Sequence, residues 1–113
     1  MAEIVRAGDA KRRQVSGAGC SGLSETVVAS QRNGCNRLSA KVLTLRGGGH
    51  TGMLERGSET VYLVLAGSPL LVDGDGFMGN LSEGDFAVIR PYEKHVLRNE
   101  GGSEARILAI TAV

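Results

Sequence analysis

Short apolar runs recur along this chain about every eight to twelve residues, with Gly, Asp, Asn or Pro between them. No stretch carries the i, i+3, i+4, i+7 stripe of an amphipathic helix over a useful length. That rhythm limits the fold more than any other feature. It predicts an all-β chain of short antiparallel strands, in a sandwich or a barrel. The best patterned piece is residues 37–46, where Leu38, Ala40 and Val42 alternate with Lys41 on the opposite face. A shorter strand is expected at 25–30, joined to it through the Asn33-Gly34 turn signal.

Further strands are expected at 61–66, 70–72, 77–79 and 105–113. The sequence Asp73-Gly74-Asp75-Gly76 has the chemistry of a hairpin turn. Residues 61–66 are apolar on both faces, which predicts a central strand covered twice, by the core and by a second sheet or subunit. On this reading Tyr62 points outward to a sheet or subunit contact, while Phe77, Phe86 and Met78 fill the core. Gly47-Gly48-Gly49 reads as a turn between strands. A phosphate loop would need a Lys-Ser/Thr pair and a helix after the glycines, and neither follows.

A length of 113 residues suits one domain around one core, with residues 1–22 as an N-terminal arm that holds an edge strand and a loop. The net charge of +1 gives no field to draw in nucleic acid or a membrane surface. The only basic cluster, Lys11-Arg12-Arg13, reads as a solvated patch. The charged N-terminal stretch lacks the apolar segment of a signal peptide, so a cytoplasmic location is expected. Cys20 and Cys35 match no zinc-site spacing and are expected as free thiols.

The densest set of polar groups between apolar strands lies at Gly84–Asn99, which contains one of the two histidines. Gly84, Arg90, Tyr92, His95 and Asn99 stand at the spacing Gly, five residues, residue, one, residue, two, His, three, Asn. Upstream, Leu54, Arg56, Gly57, Glu59 and Thr60 precede an apolar strand that ends at Gly67. Across roughly residues 39–109 the chain resembles a small single-domain bacterial cupin, a double-stranded β-helix or jelly-roll barrel. Arg90 and Tyr92 replace the usual Pro and Gly of the second cupin motif. Leu54 and Arg56 occupy the two histidine positions of the first.

The resemblance implies four metal ligands, of which only Glu59 and His95 survive here. Two protein ligands rarely hold a transition metal, leucine cannot ligate, and arginine stays protonated. The expectation is therefore a cupin without the usual metal and without a cofactor. The alternative is a divalent transition metal on His50, Glu59 and His95. His50 is otherwise expected as an exposed loop residue, about 13 Å from Leu54 along an extended strand.

The catalytic candidates are His95 and Glu59 as an acid/base pair, with Arg56 beside Glu59 and able to stabilise an oxyanion. Tyr92, Arg90, Leu54, Met53 and Asn99 are candidate substrate contacts. The loss of ligands makes the expected enzyme metal-independent, and the resemblance implies that it isomerises or cyclises a small substrate, of polyketide type or bearing a carboxylate, in bacterial secondary metabolism. The alternative is a barrel that binds a small ligand without chemistry. The expected partners are a small molecule and a second copy of the chain, because an all-β domain with apolar strands has edges to hide.

Overall fold

A computed structural model describes residues 2–17 and 19–113. Among them, nine strands belong to one curled sheet. They are β1 (Arg12–Gln14), β2 (Ser21–Ala29), β3 (Leu38–His50), β4 (Thr60–Ala66), β5 (Leu70–Asp73), β6 (Met78–Asn80), β7 (Phe86–Ile89), β8 (His95–Arg98) and β9 (Ala105–Ala112). The main path runs β6-β5-β8-β3-β9-β4-β7, and β1 and β2 extend it from β3. Every pairing is antiparallel. Among the described residues, the only helical piece is a 3-10 turn at Gln31–Asn33, closed by Gly34 in the left-handed region. Among the described residues, no helix is long and apolar enough to cross a membrane.

The core is the inner face of the curled sheet. Leu43, Leu45, Tyr62, Leu97, Ala105, Ile107 and Ala109 lie in it, and Leu45, Leu97, Ala105 and Ile107 are fully buried. The expected turn-rich rhythm is present, and Asp73 fixes the hairpin between β5 and β6 by accepting from the amides of Asp75 and Phe77.

Two local expectations fail. Gly47-Gly48-Gly49 does not turn the chain. Strand β3 runs straight through, pairing with β9 up to Leu45 and with β8 at His50. The glycines serve this change of partner by permitting close approach. A side chain at Gly49 would lie 2.8 Å from the Gly22 carbonyl oxygen, and one at Gly47 would lie 2.9 Å from that of Gly101.

The second failure concerns faces. In β4 the buried positions are Thr60, Tyr62 and Val64, so Tyr62 points inward and is 2% exposed. Within the single chain the outer side of the strand is not covered by a second sheet. Leu65, Phe86, Val88 and Ile110 are left exposed outside, and Phe77, Met78 and Met53 are likewise at the surface rather than in the core.

Candidate functional site

The inward positions of β4, β9 and β3 form rows across the sheet. Val64, Ile107 and Leu43 make one apolar row. Tyr62, Ala109 and Lys41 make the next, and Thr60, Thr111 and Ser39 the one beyond. The small Ala109 between two long side chains leaves space above it. A cavity of about 160 Å³ opens there, with Tyr62, Ala109, Lys41, Leu54 and Arg56 in its wall. Val15 and Cys20 of the N-terminal segment close one side of it.

Behind Tyr62 lies His95, which is 1% exposed. Its backbone exchanges both hydrogen bonds with Leu54, at 2.8 and 2.9 Å. The His95 Nδ1 is 3.2 Å from the Glu93 carbonyl oxygen, and Nε2 is 2.7 Å from the Tyr62 hydroxyl. A carbonyl can only accept, so Nδ1 carries the proton and Nε2 accepts from Tyr62. The result is a tyrosine that faces the cavity and is backed by a neutral imidazole.

Burial disfavours charge on both rings. It lowers the His95 pKa from 6.5, against a raising effect of the Glu93 carbonyl, and the Arg56 charge lowers it further. It pushes Tyr62 up from 10.0 to about 12, although Arg56 pulls the other way. On the far wall, Glu25 accepts from Lys41 at 3.0 Å and is also bonded by Arg13. Burial alone would raise the Glu25 pKa, but the hydrogen bonds and charges of Lys41 and Arg13 outweigh it and hold the pKa below 4.5.

These shifts set a dependence of stability on pH. An unfolded chain takes up protons on His95 from about pH 6.5 downward and on Glu25 from about 4.5, before the folded chain does, so stability is lost as pH falls through each window. The unfolded chain gives up the Tyr62 proton near pH 10, so stability is also lost between 10.0 and about 12. Urea midpoints measured against pH are expected to show both losses. His95→Gln removes the step that begins at 6.5, and Tyr62→Phe removes the alkaline one.

Of the candidates read from the sequence, His95, Arg56 and Leu54 come together at this cavity, with His95 reached through Tyr62. Glu59 does not join them. It is exposed one residue ahead of the inward Thr60, and no hydrogen bond or ion pair links it to His95 or Arg56. Arg90 is exposed and bonded to Glu93. Tyr92 is 71% exposed, with its ring against Gly57 outside the cavity. It has a φ of 65°, at the position where the second cupin motif has Gly, so this side chain is held in a region that favours glycine.

Met53 and Asn99 line a separate open groove with His50 and Arg98. His50 is a half-buried strand residue, not a loop residue, and its Nδ1 accepts from the Gly52 amide. Asn99 is buried, and its side chain is taken up by Leu45, Ser103 and Gly101. Sequence reasoning missed Tyr62, Lys41, Glu25 and Ala109 as cavity residues. No signal local to residues 61–66 would have found Tyr62, because that segment is apolar on both faces.

Among the described residues, no three of His, Cys, Asp and Glu gather closely enough to hold a metal ion. His50, Glu59 and His95 therefore do not assemble as a ligand set, because they lie at a groove, at the surface and behind Tyr62. The chain's residues do not fit the metal that cupins of the usual pattern bind. Cys20 and Cys35 are both free thiols.

No family model matches the sequence, and no curated protein matches it. Solved structures do match. The polyketide cyclase RemF from Streptomyces resistomycificus is 23% identical with a TM-score of 0.91, over 99% of this chain and 80% of that one. A predicted oxalate decarboxylase from Thermotoga maritima is 21% identical with a TM-score of 0.89, over 98% of this chain and 99% of that one. An RmlC-like cupin from Shewanella frigidimarina is 14% identical with a TM-score of 0.82, over 99% of this chain and 91% of that one. At these identities the likeness is one of fold, and the fold is that of a small cupin, an all-β jelly-roll barrel.

Proposed function

We propose that this cupin is an enzyme that moves a proton within a small organic substrate, giving isomerisation or ring closure, and that it does so through Tyr62 and His95. The observation that carries the reading is the 2.7 Å bond from the Tyr62 hydroxyl to His95 Nε2, made by a residue of the cavity wall. A substrate C–H proton passes to the Tyr62 oxygen as Tyr62 gives its own proton to Nε2. The charge left on the substrate is an enolate, and Arg56, an exposed residue of the cavity wall, supplies the cation that stabilises it. The imidazolium then returns the proton through Tyr62 to a different atom, so no net proton is gained or lost. The lowered His95 pKa keeps the ring neutral and ready to accept at pH 7. The likeness to a polyketide cyclase supports this class of reaction without naming a substrate.

The test is exchange of substrate C–H for solvent deuterium, followed by NMR across a panel of small carbon acids. Exchange that depends on Tyr62 supports the reading. Binding without exchange reduces the barrel to a ligand carrier and counts against it.

The outer face of β4, β7 and β9 supports assembly with a second copy. Phe86, Leu63 and Leu108 lie in one cross-strand row, and Val88, Val61 and Ile110 in the next. Phe86 is 64% and Val88 61% exposed, and β7 ends the main path of the sheet. A second copy laid on this face covers both an apolar patch and an open edge. Light scattering after size exclusion is expected to give twice the monomer mass, and Val88→Glu is expected to give the monomer with its fold intact. A monomeric parent protein would refute the homodimer.

A further inference from the structure

We infer that the cavity is built for a monoanion no larger than a single six-membered ring, with Ala109 setting the size limit and Arg56 the charge. The inference rests on the cavity being the substrate site, as proposed above. It goes further by naming the class of molecule, and it narrows that class away from extended, multi-ring substrates.

Size comes first. The cavity measures about 160 Å³. An apolar protein cavity of about 150 Å³ accommodates one benzene molecule. A fused pair of rings exceeds that volume, and fits only by displacing the wall or projecting from the mouth. Val15 and Cys20 close the side facing the N-terminal segment, and the Val15 amide is bonded to the Leu23 carbonyl at 2.9 Å. Space exists at all because of one residue. Ala109 sits directly between Tyr62 and Lys41 in the register, and the next row inward is filled by Val64, Ile107 and Leu43. The flanking side chains start about 10 Å apart, two strand spacings. A larger residue at 109 fills that gap, whereas the cavity floor stays unchanged.

Charge comes second. The cavity wall holds Arg56, Lys41 and Glu25. Lys41 is already paired with Glu25 at 3.0 Å. Among the described residues, none of the ion pairs includes Arg56. The pocket thus presents one uncompensated cation, on the exposed Arg56, in a wall that also includes Leu23, Leu43, Leu54 and Ala109. One negative charge on a compact apolar body is the complement. The backbone under Arg56 is held as well, since its carbonyl accepts from the Tyr92 amide at 2.6 Å.

The experiment is calorimetric titration of the full chain with benzoate, cyclohexanecarboxylate, neutral benzamide and 2-naphthoate. Both single-ring acids are expected to bind. Benzamide is expected to bind about tenfold more weakly or worse, a difference of about 1.4 kcal/mol, and 2-naphthoate not at all. Arg56→Gln is expected to bring benzoate down to the level of benzamide. Ala109→Leu is expected to abolish benzoate binding and Ala109→Val to weaken it, while Ala109→Ser retains it. Far-UV circular dichroism reports the fold of each variant, and the graded valine and serine variants stand if the leucine variant does not fold.

Benzamide binding as tightly as benzoate would overturn the charge assignment. Naphthoate binding as tightly as benzoate, or benzoate binding retained in Ala109→Leu, would overturn the size limit. Failure of both single-ring acids to bind at millimolar concentration would overturn the inference as a whole. Failure of the proton-transfer proposal appears elsewhere, as turnover unchanged by Tyr62→Phe, and leaves these isotherms untouched.

Discussion

Replacing Tyr62 by phenylalanine is expected to lower turnover by about 10²- to 10⁴-fold, the usual worth of a positioned acid/base group. The ring remains and the packing against Ala109 is kept, so the loss belongs to one oxygen atom. That oxygen is bonded to His95 Nε2 at 2.7 Å, on a residue that lines the cavity. His95→Gln is expected to cost a similar factor, and the double variant little more than either, because the two groups act as one unit. The pH profile separates this role from a structural one. His95 must be neutral to accept the proton. Its pKa is lowered from 6.5 by burial first and by Arg56 as well, so kcat/KM falls only on the acid side, below about 6.5. His95→Gln is expected to flatten that limb. Stability is a second readout, since Tyr62→Phe leaves a buried Nε2 unpaired at a cost of about 1–3 kcal/mol. Turnover within twofold of the parent in either variant, for a substrate that the parent converts, would remove the relay.

Asn99→Ala is expected to produce the largest loss of stability from a single polar side chain. The Asn99 side chain donates to the Leu45 carbonyl at 3.0 Å and the Ser103 carbonyl at 2.7 Å, and accepts from the Gly101 amide at 3.2 Å. It ties the turn between β8 and β9 to β3, just before β3 changes partners. With each bond worth about 1 kcal/mol, the expected loss is about 3 kcal/mol. For a domain of this size, that lowers Tm by about 10–20 °C. Asn99→Asp is expected to be at least as damaging, since it keeps the acceptor for Gly101 but sets a carboxylate against two carbonyl oxygens. Thermal denaturation of both variants tests this. A tolerated Asn99→Asp would show that the two donated bonds contribute little. Ligand binding to the barrel cavity is expected to be unchanged in any folded Asn99 variant.

The errors in reading the site share one cause. A strand has a side-chain period of two, so a shift of one residue exchanges its faces. Placing Glu59 on the inner face of β4 sent Tyr62 outside. The structure has the opposite phase, with Thr60, Tyr62 and Val64 buried. Nothing local to residues 61–66 decides between the two phases, because that segment is apolar on both. The decision comes from its neighbours. Ala87 on one side and Ala109 on the other leave room for a tyrosine ring, and both are buried. Lys41 shows the same limit. Its polarity suggested the solvent face, yet Glu25 on the adjacent strand neutralises it at the cavity wall.

What the chain's own pattern determined was the class of fold and the presence of His95 at its centre. Recurrent short apolar runs with Gly-, Asp- and Asn-based turns leave an antiparallel barrel as the way to bury them, because turn chemistry and strand alternation are local properties. Leu54 and Arg56 in place of histidines were legible for the same reason, since what a side chain can ligate does not depend on its surroundings. The partner of His95, the cavity above Ala109 and the commitment of Asn99 to the backbone were decided only by tertiary structure. Each depends on which residues of distant strands stand opposite one another, and that register is set by packing of the whole barrel rather than by any one segment.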